Sequence, residues 1–93
     1  MVKIIWTEFA IEDLRSIYHY ISKDSKRYAD RFVEKLIERV EQLETFPKSG
    51  RVVPEFSNET IRELIEGNCR IIYKISTNQI SKVHVHHSAR QLK

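Results

Sequence analysis

The period of the hydrophobic pattern changes once along the chain, and this change constrains the fold more than any other feature. Between residues 10 and 43 the apolar side chains recur every three to four positions, which predicts amphipathic α-helices. Beyond residue 60 they alternate with polar side chains, as expected for β-strands with one buried face. The pattern therefore predicts a helical half followed by a β half.

The helical half contains two helices separated by a short break at residues 22–25. Thr7 is placed to cap the first helix, Asp24 or Ser25 to cap the second, and Pro47 bounds the second helix. Because the break is short, we expect an antiparallel helical hairpin. Its apolar faces consist of Ala10, Leu14, Ile17, Tyr18 and Ile21 on the first helix, and Ala29, Phe32, Val33, Leu36, Ile37, Val40 and Leu43 on the second.

The remaining elements are short strands. They are predicted at residues 2–6, 61–65, 69–75 and 80–87, with a loop at 48–60. The order β-α-α-β-β-β predicts one α+β domain over residues 1–93. In this two-layer arrangement the helical hairpin covers one face of a small, mainly antiparallel sheet.

The face of the sheet that the helices leave open is predicted to be basic. The alternation in the last two strands turns one set of polar side chains outward together: Arg70, Lys74, Lys82, His84 and His86. The net charge of +3 is unevenly distributed, since residues 47–93 carry eight basic and four acidic side chains, whereas residues 1–46 are nearly balanced. A face of this kind suits RNA phosphates or an acidic protein partner.

Composition excludes several classes of protein. No apolar run approaches the roughly 18 residues of a membrane span, and the apolar N-terminal run ends at Glu8, too early for a signal peptide. The single cysteine, Cys69, cannot form an internal disulfide and favours a cytoplasmic location. The chain has no Gly-rich phosphate loop, and His84, His86 and His87 have no acidic third ligand nearby in sequence. We therefore expect neither a cofactor nor a metal.

Four motifs, in order, span nearly the whole chain. They are Ala10-x-x-Asp13-Leu14-x-x-Ile17-x-x-Tyr20-Ile21 with Ala29-x-x-Phe32-x-x-x-Leu36; Phe46-Pro47-x-x-Gly50-Arg51-x-x-Pro54-Glu55; Arg62-Glu63-Leu64 with Arg70-Ile71-Ile72-Tyr73; and His87-Ser88-Ala89-Arg90. Together they resemble the RelE/ParE superfamily of bacterial toxins. The resemblance implies the growth-inhibiting toxin of a type II toxin–antitoxin module, which a cognate antitoxin protein holds inactive in a hetero-oligomer.

The branches of this superfamily differ in mechanism. RelE-like and YoeB-like members cleave mRNA on the ribosome without a metal, whereas ParE-like members poison DNA gyrase. Fold alone does not separate these outcomes. A third reading is a degenerate toxin that acts only as the partner of its antitoxin.

The resemblance implies three catalytic candidates for RNA cleavage by 2′-OH attack. Glu55 follows Pro54 at the position of the YoeB-like base, and Arg70 occupies the position of a phosphate-clamping arginine. His87, or His86 if the strand register slips, lies near the position of the YoeB-like terminal acid. Candidates for RNA or antitoxin binding are Lys48, Arg51, Arg62, Lys74, Lys82, His84, His86 and Arg90.

Each candidate also has an ordinary structural explanation. Glu55 lies in a polar loop, and Arg70 could pair on the surface with Glu63 or Glu66.

The terminal tyrosine of several RNA-cleaving members is missing, and the His87-x-x-Arg90 ending resembles the ParE branch. Since a base, a clamp and an acid candidate are all present, the sequence favours a ribosome-dependent endoribonuclease, with gyrase poisoning as a close alternative.

Overall fold

Two local capping signals set where the helices begin. The computed structural model describes residues 2–87, apart from the side chain of Lys82, with helix α1 at Glu8–Ser22 and helix α2 at Lys26–Glu41. The hydroxyls of Thr7 and Ser25 each accept a hydrogen bond of 3.1 Å from the amide of the third helical residue. Both predicted helices are confirmed, and Ser25 is the cap of the second. A 3₁₀ turn at Gln42–Glu44 follows α2.

Five strands form one mixed sheet in the spatial order β1-β5-β4-β3-β2. The strands are β1 (Lys3–Ile4), β2 (Arg51–Val52), β3 (Ile61–Glu66), β4 (Cys69–Ser76) and β5 (Gln79–His87). All neighbouring pairs are antiparallel except β1 and β5, which run parallel. The predicted two-layer α+β fold is therefore confirmed, with one addition. Strand β2 was not predicted, because two residues within a loop carry no periodic signal.

The helical hairpin packs on one face of this sheet and encloses the core. Leu36 of α2 and Ile71 and Tyr73 of β4 are fully buried there. The core contains most of the apolar positions that the helical and strand periods predicted: Ala10, Leu14, Ile17, Ile21, Ala29, Phe32, Leu36, Val40, Leu43, Ile71, Tyr73, Val83 and Val85. Leu64 and Ile80 also belong to it, and the predicted positions Tyr18, Val33, Ile37 and Ile75 pack against it while only partly buried. Within residues 2–87, no helix is both long and apolar enough to cross a membrane.

The pairing of β4 with β5 shifts by one residue near the middle of the strands. Ile72 lies opposite His84 and Lys74 lies opposite Ser81, so residues 82 and 83 together face Tyr73. This is the geometry of a β-bulge, which bends the strand and re-aims its side chains. On the C-terminal side of the bulge, alternation turns His84 and His86 to the open face of the sheet and residues 83, 85 and 87 to the helices.

Candidate functional site on the open sheet face

A buried carboxylate organises the open face of the sheet. Glu63 of β3 lies opposite Arg51 of β2 and Ile72 of β4, and its side chain is 0% exposed. Glu63 Oε1 accepts hydrogen bonds from Arg70 Nε at 2.7 Å and lies 2.5 Å from Arg70 Nη2. Glu63 Oε2 accepts from Arg51 Nε at 2.5 Å. Each oxygen of the carboxylate therefore holds one arginine.

The two arginines keep the carboxyl group of Glu63 ionised. Burial by itself would raise the pKa of Glu63, but the hydrogen bonds from Arg70 and Arg51, together with their positive charges, lower this pKa below its usual value. Because both oxygens are occupied, Glu63 is not available as a catalytic base. Its role is to fix two guanidinium groups on a surface that is otherwise open to solvent.

Glu55, the predicted base, lies close to Arg70. Its Oε1 atom is 3.8 Å from Arg70 Nη2, and its side chain is 64% exposed. The Arg70 side chain is 38% exposed, so its guanidinium is reachable from solvent while Glu63 holds its inner side. The structure thus brings two of the three catalytic candidates together.

The histidine that lies beside Arg70 on the open face is His86 and not His87. His86 lies directly opposite Arg70 in the β4–β5 register and is exposed. The imidazole of His84 is stacked beside that of His86, with ring centroids 6.3 Å apart. His84 Nδ1 also lies 3.7 Å from Asp13 Oδ2, and the same oxygen accepts the amide of Val85 at 3.0 Å, which ties α1 to β5.

His87 does not lie with Glu55 and Arg70. Its side chain is on the helix side of the sheet, and the residue is only 8% exposed. There it contacts the rings of Tyr20 and Phe32, with centroid distances of 5.4 and 6.4 Å. A site that combines His87 with Glu55 and Arg70 is therefore excluded by the pleat of β5, which turns neighbouring histidines to opposite faces.

Arg62, a candidate for RNA or antitoxin binding, is used within the fold. Its guanidinium donates to three backbone carbonyls, those of Lys48 at 3.3 Å, Gly50 at 2.9 Å and Glu59 at 3.0 Å. These bonds hold the two ends of the long loop against β3. The side chain of Arg62 therefore serves the loop and not the open face.

The other binding candidates are less closely tied to the site. Lys48 is exposed in the loop, and Lys74 is half-buried on the same face as Arg70. The side chain of Lys82 and the whole of Arg90 lie outside the described part of the chain. Two of the predicted binding residues lie beside Arg70: Arg51, which shares the partner Glu63 with it, and His86, which lies opposite it in the strand register.

The Pro47-x-x-Gly50 motif has a structural explanation. The buried Tyr73 hydroxyl donates to the Pro47 carbonyl at 2.8 Å and accepts the Gly50 amide at 3.0 Å. A Cβ atom on Gly50 would lie 2.6 Å from the Tyr73 hydroxyl and 2.7 Å from the Glu63 carbonyl oxygen. Only glycine fits this position, and the contact fixes the loop beside Glu63.

The cysteine and the histidines were also considered as a nucleophile and as metal ligands. Cys69 is buried, and burial, with the nearby charge of Glu66, raises the pKa of its thiol to about 11. It is a core residue, as expected for a lone cysteine that enters a strand. Among the residues that the structure describes, no group of three or more His, Cys, Asp and Glu side chains is placed to hold a metal ion.

Sequence reasoning considered Glu63 only as a surface partner of Arg70. The signal that points to its role is a glutamate inside the strand predicted at residues 61–65, beside the buried Leu64. What this signal could not supply is Arg51, because its strand β2 was not predicted.

Comparison with known proteins identifies the family. The profile of the ParE toxin of type II toxin–antitoxin systems, parDE, matches residues 4–92. The chain belongs to the ParE toxin family. It is 30% identical, over 91 residues, to Toxin RelE2 of Caulobacter vibrioides, covering 97% of this chain and 99% of that protein. The chain is thus a type II toxin of the RelE/ParE superfamily, as its motifs indicated.

A solved structure shares the fold of this RelE/ParE toxin. The chromosomal ParDE toxin–antitoxin system from P. aeruginosa superposes with a TM-score of 0.75 at 23% identity, covering 94% of this chain and 96% of that chain. At this identity the likeness concerns the fold alone. Since one relative bears a RelE name and the family profile a ParE name, the names do not separate the two mechanisms.

Proposed function

We propose that this toxin is neutralised by a cognate antitoxin and, when released, cleaves mRNA on the ribosome. The observation that carries the proposal is the position of Arg70 on the open face, 3.8 Å from Glu55 and directly opposite His86. These side chains provide the three functions that 2′-OH attack on a phosphodiester needs, and no metal takes part.

In this proposal each of the three residues has one role. Glu55 accepts the proton of the 2′-hydroxyl, whose oxygen attacks phosphorus, and Arg70 stabilises the negative charge of the crowded phosphate. His86, in place of His87, donates its imidazolium proton to the departing 5′-oxygen. The products are a 2′,3′-cyclic phosphate and a free 5′-hydroxyl, so the proton taken by Glu55 is balanced by the one given by His86.

The antitoxin part of the proposal is supported by the family, since the neighbouring structure is that of a toxin–antitoxin system. The outward groups of Arg51 and Arg70 suit acidic side chains of such a partner. Production of the toxin alone is expected to arrest growth, and co-production with the small protein encoded beside it is expected to restore growth. A toxin that does not arrest growth when alone would leave only the degenerate-partner reading.

Primer extension on a reporter transcript tests the nuclease mechanism. Arg70→Lys preserves a positive charge beside Glu63 but removes the planar donor pair, and Glu55→Gln and His86→Gln remove the base and the acid. Each is expected to reduce the cuts by about 100-fold or more, the usual range for an acid–base group and for a group that stabilises developing charge. The matched control is Arg15→Lys, because Arg15 is an exposed arginine of α1. Undiminished cutting by all three site variants would contradict the proposal.

Gyrase poisoning is the second candidate, and one observation favours it. The charges of Arg51 and Arg70 are balanced by Glu63 and Glu55 together, which suits a protein-binding surface better than a phosphate clamp. In that case supercoiling of a reporter plasmid is lost before translation stops, no codon-linked cuts appear, and the purified toxin inhibits gyrase. Intact gyrase activity at a large molar excess of toxin would remove this candidate.

A further inference from the structure

Four rings form an arc on the helix side of the sheet, away from Arg70. Tyr20 at the end of α1 contacts His87, His87 contacts Phe32, and Phe32 is stacked with Tyr28 at the start of α2. The successive centroid distances are 5.4, 6.4 and 6.0 Å. Tyr28 is 57% exposed and Tyr20 37%, so this arc presents ring surface to solvent and is not simply part of the core.

The rings line a hollow of about 290 Å³, and Asp24 and the Gly67-Asn68 turn also line it. This volume lies at the lower limit of the roughly 300–1,000 Å³ of small-molecule pockets. It suits one flat ring system and not an extended ligand. The polar groups of Asp24 and Asn68 are the hydrogen-bonding groups that read the edge of a nucleobase elsewhere.

Asp24 is the charged side chain in the lining of the hollow, and cations flank the lining residues in the sequence. Lys23 and His19 line a second hollow on the other side of Tyr20, and Lys26 and Arg27 occupy the first turn of α2 beside Tyr28. Residues 23–27, which join the two helices and begin α2, therefore carry three cations and one anion. Aromatic faces combined with surrounding cations are typical of surfaces that bind single-stranded nucleic acid.

We propose that this hollow is a stacking pocket for one base of single-stranded RNA, separate from the Arg70 face. The inference rests on the proposed function for the choice of RNA. His87 lies opposite Cys69, the residue before Arg70, so the pocket and Arg70 occupy the same end of the sheet on opposite faces. A single strand of RNA that passes around this end of the sheet reaches both the hollow and Arg70.

The pocket has an expected base preference. A carboxylate accepts hydrogen bonds, and cytosine presents an exocyclic amino donor where uracil presents a carbonyl. Asp24 therefore favours cytosine over uracil, two bases of similar size. Asp24→Asn is expected to abolish this preference without removing the stacking surface.

Fluorescence anisotropy on the full-length toxin tests the pocket without the ribosome. The probes are labelled 12-nucleotide 2′-O-methyl oligocytidine and oligouridine, which cannot undergo 2′-OH attack. Tyr28→Leu keeps an apolar side chain but removes the ring, and it is expected to weaken binding about five-fold or more, whereas Tyr28→Trp retains it. The matched control is Phe46→Leu, at an exposed ring outside the hollow, which is expected to bind as the unsubstituted chain does.

Several results would overturn the inference. Tyr28→Leu that binds both oligonucleotides normally but loses affinity for the antitoxin would identify the hollow as a protein-docking surface. An Arg90→Gln, Lys93→Gln chain that shifts the NMR signals of Tyr20 and Tyr28 and binds RNA more tightly would identify the chain's own C-terminal residues as the occupant. Arg70-dependent cleavage with Tyr28-independent binding would overturn this inference alone. Tyr28-dependent binding without any cleavage would overturn the proposed function alone.

Discussion

Arg70 and Glu63 lie on neighbouring strands, and two nitrogens of the arginine, Nε and Nη2, converge on a single carboxylate oxygen, Oε1, at 2.7 and 2.5 Å. The second oxygen of Glu63 is held by Arg51 at 2.5 Å. The three charged groups form one unit. The carboxylate of Glu63 has no solvent access and holds the guanidinium groups of Arg51 and Arg70, whose positive charges keep it ionised. The candidate site is therefore built on a buried charge and not on a cluster of independent surface arginines.

Replacement of Glu63 by alanine is expected to lower the free energy of unfolding by about 1–3 kcal/mol. The change leaves Arg51 and Arg70 without their common acceptor, and hydrogen bonds to charged groups contribute on this scale. Both arginines reach solvent, which keeps the loss below that of a fully buried pair. Urea unfolding measures it, with Arg15→Ala as a control expected to stay within about 0.5 kcal/mol. A loss no larger than the control's would contradict the structural role of Glu63.

The stability of the toxin is expected to depend on Glu63 at acidic pH. The folded state holds the pKa of this carboxyl group below the value of a free glutamate, about 4.3. Its contribution is therefore fully present above that pH and is lost as the pH falls through the lower, folded value. Urea unfolding between pH 3 and pH 7 should show a steeper acid loss for the unsubstituted chain than for Glu63→Gln. Parallel curves for the two chains would contradict this prediction.

Tyr73→Phe is expected to destabilise the fold by about 1–2 kcal/mol. The substitution removes a hydroxyl that donates to the Pro47 carbonyl and accepts the Gly50 amide, and it leaves both backbone groups without that partner. The loop that carries Glu55 begins at these residues, so amide exchange at Gly50 should accelerate as well. Tyr28→Phe, a change at an exposed tyrosine of α2, serves as the control. Unchanged exchange at Gly50 would contradict the role assigned to Tyr73.

Gly50→Ala is expected to destabilise the toxin by about 1–3 kcal/mol through overpacking. The added methyl group would meet the Tyr73 hydroxyl at 2.6 Å and the backbone carbonyl of Glu63 at 2.7 Å, and the second of these atoms cannot rotate away. The combined loss for Gly50→Ala with Tyr73→Phe should be smaller than the sum of the two single losses, because the contact with the hydroxyl disappears. Strictly additive losses in thermal unfolding would show that the two residues do not interact as described.

Cys69 is expected to resist alkylation in the folded toxin. Burial raises the pKa of its thiol to about 11, so only about one molecule in a thousand carries the reactive thiolate at pH 8. The rate of reaction with iodoacetamide should rise by more than 100-fold in a denaturing concentration of urea. Fast labelling of the native toxin at pH 8 would contradict this prediction, because it would mean that the first residue of β4 becomes accessible without global unfolding.

Much of the architecture could be predicted from local patterns. The capping hydroxyl of Thr7 and the spacing of Leu14, Ile17 and Ile21 determine where α1 begins and which side it buries. Strands β3, β4 and β5 were predicted to within one residue by alternation. The bulge beside Tyr73 was not, because an extra residue in one strand shows only when the two strands are paired.

The sequence by itself determined the order of the elements apart from β2, most of the buried faces and the toxin family, because periodicity, capping and motifs can all be read along the chain. Only the tertiary structure decided the site. The pleat of β5 separates His86 from His87, and the pairing of β2 with β3 brings Arg51 to Glu63 across twelve residues. Both outcomes depend on strand register, in which a slip of one residue turns every side chain to the other face.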